Sequence, residues 1–479
     1  MADETLKHKT KVGLYWKFFE QFSAYGMQFI VGVIMARLLS PTDFGIAALP
    51  AVFIAIAQVF IDGSFGLALI RKPEVNEKDL STSFYYSIVV GLFSYIFLFL
   101  LAPYIADFYD TPILTPLVRV TAISFIWNPL IIPQTVILNR RLDFKTPAKI
   151  SIINKIISAI LGISAAYYGY GIWALVIATV SSSFFGFIQT WLAVKWLPRA
   201  KFSKNSFNYL WNFGNKMMGA TLLGTLYNNI VPVIVGKTIG VADLGFYNRA
   251  KQFASLPSSN FTGIINSVTF PVLSKLQDNE EQFAVQYRRM IKDSSFVVFP
   301  IMVLLSVLAR PLVITLLTEK WEGCVILLQI MCFTYMFQPA QILNLNLLQI
   351  KGRTDLTLKL EIFKKIFFTI VILVAIKYGL VVLCVVDFLL TMVALVLNTY
   401  YTGKLINVGY FKQVKDLLPS LILSLLMALI VILLLKVFAN DLTALIVCGL
   451  TGILVYFGMA KILGFSELDD VIYMINRNS

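Results

Sequence analysis

The sequence predicts an all-α polytopic membrane protein with about 14 transmembrane helices. Three observations carry that reading. Of 479 residues, 58% are hydrophobic and 14% charged, and mean hydropathy is +0.79; a soluble globular chain has about 45–50% apolar and about 25% charged residues. Apolar stretches of about 20 residues, each long enough to cross a bilayer as a helix, follow one another along the whole chain. The connections between them alternate between strongly basic and nearly uncharged.

Taken in order, the apolar stretches cover 15–39, 45–70, 82–102, 115–139, 148–168, 171–194, 209–237, 244–275, 294–318, 323–350, 359–378, 379–403, 416–439 and 441–464. The fifth and sixth are cut at Tyr-Gly-Tyr-Gly (168–171), and the eleventh and twelfth at Lys377-Tyr378-Gly379, because glycine accommodates a tight turn. No early segment has the short apolar region and small-residue cleavage site of a removable signal peptide, so the first stretch is expected to remain in the mature protein. Basic residues gather in every second connection: Lys7, Lys9 and Lys11; Arg71, Lys72 and Lys78; Arg140, Arg141, Lys145 and Lys149; Lys195, Arg199, Lys201 and Lys204; Lys275, Arg288, Arg289 and Lys292; Lys351, Arg353 and Lys359; Lys404, Lys412 and Lys415; then Lys461 and Arg477. The 103–114 loop has only Asp107 and Asp110. Positive-inside asymmetry puts the basic set and both termini in the cytoplasm. The net charge of +14 is then mostly an orientation signal with affinity for anionic headgroups, and nucleic acid is not an expected partner.

A repeat orders these spans. "GMQFIVGVIMARLLSPTDFG" (26–45) aligns without a gap to "LYNNIVPVIVGKTIGVADLG" (226–245), with Asp43/Asp243 and Gly45/Gly245 identical and Arg37/Lys237 keeping its charge. "RRLDF" (140–144) has a fainter echo in "GRTDL" (352–356). Six spans separate the copies, and an even number returns the chain to the same side. The repeat therefore predicts two six-helix lobes related by a pseudo-two-fold axis along the membrane normal. The expected divisions are a cytoplasmic tail (1–14), an N-lobe (15–205), a C-lobe (206–403), two further spans (404–464) and a C-terminal tail (465–479). Asp43 and Asp243 are expected to cap the second helix of each lobe, with Gly45 and Gly245 in the same turns.

Charges within spans are costly and are functional candidates by default. Lys17, Glu20, Ala24 and Gln28 share one face of the first span. Asp62 lies in the second span, Arg119 and Asn128 in the fourth, and Asp387 in the twelfth. Asn212, Asn215, Lys216, Asn228 and Asn229 lie in the seventh, and Arg249, Lys251, Gln252 and Asn260 in the eighth. Arg249, Lys251, Lys216 and Arg119 are candidate cavity cations for an anionic substrate; Glu20, Gln28, Asp62 and Asn228 are candidate polar cavity or ion-coupling groups. The plainer alternatives are that Lys17, Lys216 and Arg119 snorkel to an interface, and that Glu20 and Asp62 pair with neighbouring bases. Prolines at 50, 129, 133, 232, 257, 271 and 339 bend spans, which suits a protein opening to alternate sides. Cys324, Cys332, Cys384 and Cys448 lie in apolar segments and His8 in the polar N-terminal tail, so neither a Cys/His metal site nor a His-based triad is expected. No cofactor is expected.

The blocks "ARLLSPTDFGIAALPAVFIAIAQVFIDGSFGLALIRK" (36–72) and "IVGKTIGVADLGFYNRAKQFASLPSSNFTGIINSVTFPVLSKLQ" (234–277) resemble the signature of the polysaccharide transport family. These are Wzx-type flippases of the multidrug/oligosaccharidyl-lipid/polysaccharide superfamily, and the resemblance is especially to the colanic- and teichuronic-acid exporter branch. The resemblance covers nearly the whole chain. It implies a bacterial inner-membrane transporter, not an enzyme, that passes an undecaprenyl-diphosphate-linked oligosaccharide through a basic central cavity by alternating access. It also implies polysaccharide polymerase and assembly proteins as partners. Lys251 departs from the pattern, because an aromatic or aliphatic residue is expected after Arg249-Ala250. Two other readings remain. A multidrug or cation antiporter of the same superfamily favours acidic and aromatic cavity residues, whereas the deep charges here are mostly basic. A membrane polymerase or glycosyltransferase needs a sizeable external loop with catalytic acids.

Overall fold

In hydrocarbon a backbone must satisfy its own hydrogen bonds, so apolar stretches of this length fold as helices. The computed structural model describes residues 2–469, with the side chains before Trp16 and those of Lys17, Phe18, Phe22, Ser267 and Val268 outside the description. Arg477 lies outside the described residues, as do the side chains of the basic N-terminal tail. Among the described residues there is helix and no strand.

Fourteen long helical segments follow the apolar stretches among the described residues: α1 (Ala2–Leu38), α2 (Pro41–Arg71), α3 (Glu77–Phe108), α4 (Leu114–Arg140), α5 (Lys145–Tyr167), α6 (Trp173–Val194), α7 (Lys204–Thr238), α8 (Val241–Lys275), α9 (Glu280–Val307), α10 (Cys324–Ile350), α11 (Thr354–Ala375), α12 (Leu380–Ile406), α13 (Tyr410–Leu435) and α14 (Asp441–Ile462). The ninth stretch breaks after α9 and continues as the short helix Ala309–Leu317. Eleven of the fourteen are long and apolar enough to cross a membrane. The other three, α1, α8 and α11, have polar or charged residues spread through their apolar stretches; α11 carries Lys359, Glu361, Lys364 and Lys365. The two glycine joins cut where the sequence places them. Gly169 and Gly171 have φ of 81° and 53° between α5 and α6, and Gly379 has φ of 97° before α12.

Several prolines interrupt rather than merely bend. α2 restarts after Pro50, which offers no N–H, and breaks again at Gly63 and Ser64, both left-handed. α4 passes through a 3-10 turn, Asn128–Ile131, that holds Pro129. Pro232, Pro257 and Pro271 stay inside continuous helices.

Two expected loops are mostly helix. α3 runs to Phe108 through Pro103, because Ala102, Ile105 and Ala106 are buried at helical spacing. The charged 275–293 connection shrinks because Asn279 caps α9, accepting from the Gln282 N–H at 3.1 Å, with Glu280 and Glu281 in its first turn. Phe283, Tyr287 and Ile291 then form a buried stripe. The predicted N-terminal tail is continuous with α1.

The chain forms two compact units, Met1–Gly245 and Phe246–Ser479. In the first, Met35 of α1 and Leu39 just after it pack with Ala165, Ala166 and Ala174 of α5 and α6. α7 joins this unit: Leu210 packs with Phe65, Ala68 and Leu69 of α2 and with Val136 of α4, and a Cβ on Gly214 would lie 2.5 Å from the Gly63 carbonyl. The Arg140 guanidinium donates to the carbonyls of Leu69 at 3.1 Å and Pro73 at 2.8 Å, closing the end of α2. In the second unit α13 and α14 are built into the core. Arg288 of α9 donates Nε and Nη2 to the buried Asp416 of α13, each at 2.7 Å, and the Tyr456 hydroxyl of α14 donates to Phe296 O at 2.8 Å.

Candidate functional site

The first helix of each sequence repeat leaves polar side chains exposed along its length. On α1, Gln21 and Gln28 are exposed. On α7, Asn212, Lys216, Thr221 and Asn228 are exposed, and only 6% of its most apolar window is buried, against 56% for α9. Amides and an ammonium facing hydrocarbon are costly, so these faces fit a water-filled path better than lipid.

The polar face of α1 is tied to α5. Lys155 Nζ donates to Ala24 O at 3.4 Å and interacts electrostatically with Glu20. Glu20 thus has a base beside it, supplied by a residue the sequence reading passed over. Asp62 is exposed and accepts from Gln58 Nε2, one turn earlier, at 2.8 Å, immediately before the break at Gly63. Arg119 is half-buried; its Nε donates to Phe99 O at 3.2 Å and its guanidinium lies 4.1 Å from the Phe99 ring centre. Arg119 is therefore engaged with α3.

α8 carries the other two candidate cations, and they point to different sides, as positions two apart on a helix must. Arg249 is 6% exposed. It donates Nη1 to Gln252 Oε1 at 2.7 Å and lies 5.5 Å from the ring centre of Trp321, which is fully buried. Lys251 sits 5.9 Å from the Tyr247 ring centre and interacts electrostatically with Asp387 of α12. The structure does not gather Arg249 and Lys251 into one cluster.

A second set of deep charges lies on α11. Lys364 is 7% exposed; its Nζ is 2.5 Å from Glu361 Oε1 and donates to Asn398 Oδ1 of α12 at 3.2 Å. Asn398 donates in turn to Gln341 of α10. The signal for Lys155 is a single base inside an apolar run, as for Lys216; Lys364 lies in the charged half of α11 beside Lys365, where the sequence does not mark it out.

The repeat turns meet. Asp43 closes a capping box at the start of α2: its Oδ2 accepts from Ser40 N at 2.9 Å and Ser40 Oγ at 2.7 Å, while its N–H donates to Ser40 Oγ at 3.2 Å. Asp243 sits in the first turn of α8, with Gly240 at φ 157° before it. A Cβ on Gly45 would lie 1.8 Å from Val241 O, and one on Gly245 2.1 Å from Pro41 O. Pro41 and Val241 are themselves equivalent in the repeat. A reciprocal contact of this kind is what a two-fold relation between the two turns produces.

Comparison with known proteins gives a consistent assignment. Residues 34–326 match a family described as polysaccharide biosynthesis protein. The chain is 27% identical over 332 residues to the teichuronic acid biosynthesis protein TuaB of Bacillus subtilis (strain 168), covering 69% of each. It is 24% identical over 426 residues to the lipopolysaccharide biosynthesis protein WzxC of Escherichia coli (strain K12), covering 87% of this chain and 83% of that one. Among solved structures, lipid II flippase MurJ in an inward closed conformation matches with a TM-score of 0.74 at 19% identity, covering 96% of this chain and 99% of that one. An inward-facing multidrug resistance MATE family transporter matches with a TM-score of 0.58 at 16% identity, covering 81% and 96%. These two share the fold.

Proposed function

The chain belongs to the polysaccharide biosynthesis protein family, and we propose that it is a flippase carrying a lipid-diphosphate-linked oligosaccharide across a bacterial inner membrane by alternating access. The observation that carries this reading is the row of exposed polar side chains on α1 and α7, helices long enough to cross a bilayer. A path lined by amides and one ammonium suits a sugar headgroup and its phosphates better than an apolar drug. An antiporter reading would rest on acids, yet Glu20, Asp387, Glu361 and Asp416 each have a base beside them, Lys155, Lys251, Lys364 and Arg288; Asp62, bonded to the Gln58 amide rather than to the base expected from the sequence, is the acid such a reading keeps.

In this reading the 15–205 and 206–403 segments act as repeated lobes, and positive-inside asymmetry keeps both termini in the cytoplasm. Outward movement of each negative charge on the diphosphate is favoured by about 2.3 kcal/mol per 100 mV of inside-negative potential. Lys216, exposed on α7, meets the diphosphate on the path through the first unit. In the second unit the proposed diphosphate ligand is Arg249, whose fork suits phosphate oxygens and which engages when Trp321 moves off its guanidinium. Lys251 and Arg119 tune the field around these contacts. Undecaprenyl diphosphate is the expected carrier, and a polysaccharide polymerase with its assembly proteins the expected downstream partner.

Deletion of the gene in its own host tests the transport reading. Lipid-linked oligosaccharide should accumulate and surface polymer should fall, with both reversed by a plasmid copy. An unchanged pool and unchanged polymer would remove the reading. Asp110→Cys, reacted with an impermeant maleimide on intact spheroplasts, tests orientation: labelling that required permeabilisation would overturn it.

A further inference from the structure

We propose that the reciprocal contact between the Pro41–Gly45 and Val241–Gly245 turns, together with the Lys237–Asp110 ion pair beside it, is the latch that holds the outer mouth shut and parts when the sugar headgroup leaves. The proposal rests on the orientation and transport reading above. All of its residues lie within the first unit.

The seam is backbone on backbone. Each glycine sits where a methyl group would overlap the carbonyl of the residue opening the other helix, at 1.8 and 2.1 Å. Such closeness allows weak Cα–H···O contacts and excludes water, but commits no strong hydrogen bond. Below it lies a small apolar plug. A Cβ on Gly236 would meet Leu49 Cδ2 at 2.4 Å, Leu244 Cδ2 at 3.2 Å and Tyr109 Cε1 at 3.6 Å; Leu49, Leu244 and Tyr109 are all buried. At the rim, Lys237 Nζ is 2.7 Å from Asp110 Oδ2, with the side chains 37% and 83% exposed.

Each part is suited to reversal. An ion pair this exposed contributes little by itself and exchanges readily with water. The Tyr109 hydroxyl is buried without a hydrogen-bond partner, which burdens the closed arrangement and is relieved when the plug is wetted. A two-fold seam also ties the second helices of both repeats, α2 and α8, into one event, so neither turn parts alone. Symmetry therefore converts two weak contacts into a single two-state closure.

The test joins Asp110→Cys to Lys237→Cys with a short reducible bis-thiosulfonate, in a chain whose four buried cysteines are replaced by serine. A separate arm follows the reaction of Leu49→Cys with an impermeant maleimide. The linked protein should lose export at least tenfold and recover on reduction, and Gly45→Ala should raise Leu49→Cys labelling about tenfold. Export by linked protein at the unlinked rate would overturn the latch. So would Leu49→Cys labelling that neither Gly45→Ala nor Gly245→Ala changes while both proteins reach the membrane at wild-type level. If the unmodified parent exports nothing, the transport reading fails, and the labelling arm still decides the latch.

Discussion

Gly45 and Gly245 lie against each other's helices: Gly45 on the carbonyl of Val241, Gly245 on that of Pro41. Each is the third residue of an Asp-x-Gly turn that the sequence repeats without a gap. The identity of these glycines, in a chain where apolar matches are cheap, thus has a steric cause. A side chain at either place would push two helix starts apart.

Gly45→Ala and Gly245→Ala should each destabilise the protein by about 1–3 kcal/mol, the usual range for overpacking a tight contact. Gly26 and Gly224, where a Cβ would meet nothing within 4 Å, are internal controls. Alanine at either should be neutral or stabilise the helix by about 0.5–1 kcal/mol. Thermal unfolding in detergent reads both, and equal losses at all four positions would show that the seam is not special.

The Glu20–Lys155 pair makes a second prediction. Lys155→Met leaves a carboxylate half-buried between α1 and α5, so it should lower stability and export more than the double change Glu20→Gln/Lys155→Met does. A double-mutant cycle should give a coupling of about 1 kcal/mol. Additive effects of the two single changes would mean that the residues are neighbours without an energetic link.

Much of this architecture was legible in the sequence, and the failures have a common origin. The spans, the glycine joins and the repeat follow from apolar run length, the need for positive φ at Gly169, Gly171 and Gly379, and rare polar identities. Helix ends beyond the apolar core were not legible, because α3 to Phe108 and α9 from Glu280 depend on which side chains find a buried neighbour. The grouping of cations was misjudged for a related reason. Arg249 and Lys251 are two residues apart in the sequence, yet helical geometry turns them to opposite sides, towards Trp321 and Asp387 respectively. Partners such as Lys155 for Glu20 belong to tertiary structure and leave no local pattern.

Lys364 supplies a third test. It is buried between α11 and α12, held by Glu361 and Asn398. Lys364→Met should cost about 1–3 kcal/mol, because Asn398 loses a donor and Glu361 its charge partner. Lys365→Met, one residue away, should cost less than about 1 kcal/mol if burial and this network are what matter. A reversed order in detergent melting curves would contradict the assignment.

Arg249 separates binding from scaffolding. Its guanidinium is stacked near Trp321 and bonded to Gln252, so removing it perturbs packing as well as charge. Arg249→Ala should abolish export at matched membrane level, Arg249→Glu should do the same, and Arg249→Lys should restore part of it, because an ammonium replaces the charge but not the fork. Trp321→Leu keeps the cation and removes the stacking surface. If Arg249 binds the diphosphate after the ring moves, Trp321→Leu lowers thermal stability but retains a measurable fraction of export. If Arg249 only anchors α8, export follows stability across all four variants, and Arg249→Lys is no better exporter than its melting temperature predicts. Export plotted against melting temperature for the set decides between them: a common line removes Arg249 from the substrate path, and Arg249→Ala falling well below the line keeps it there.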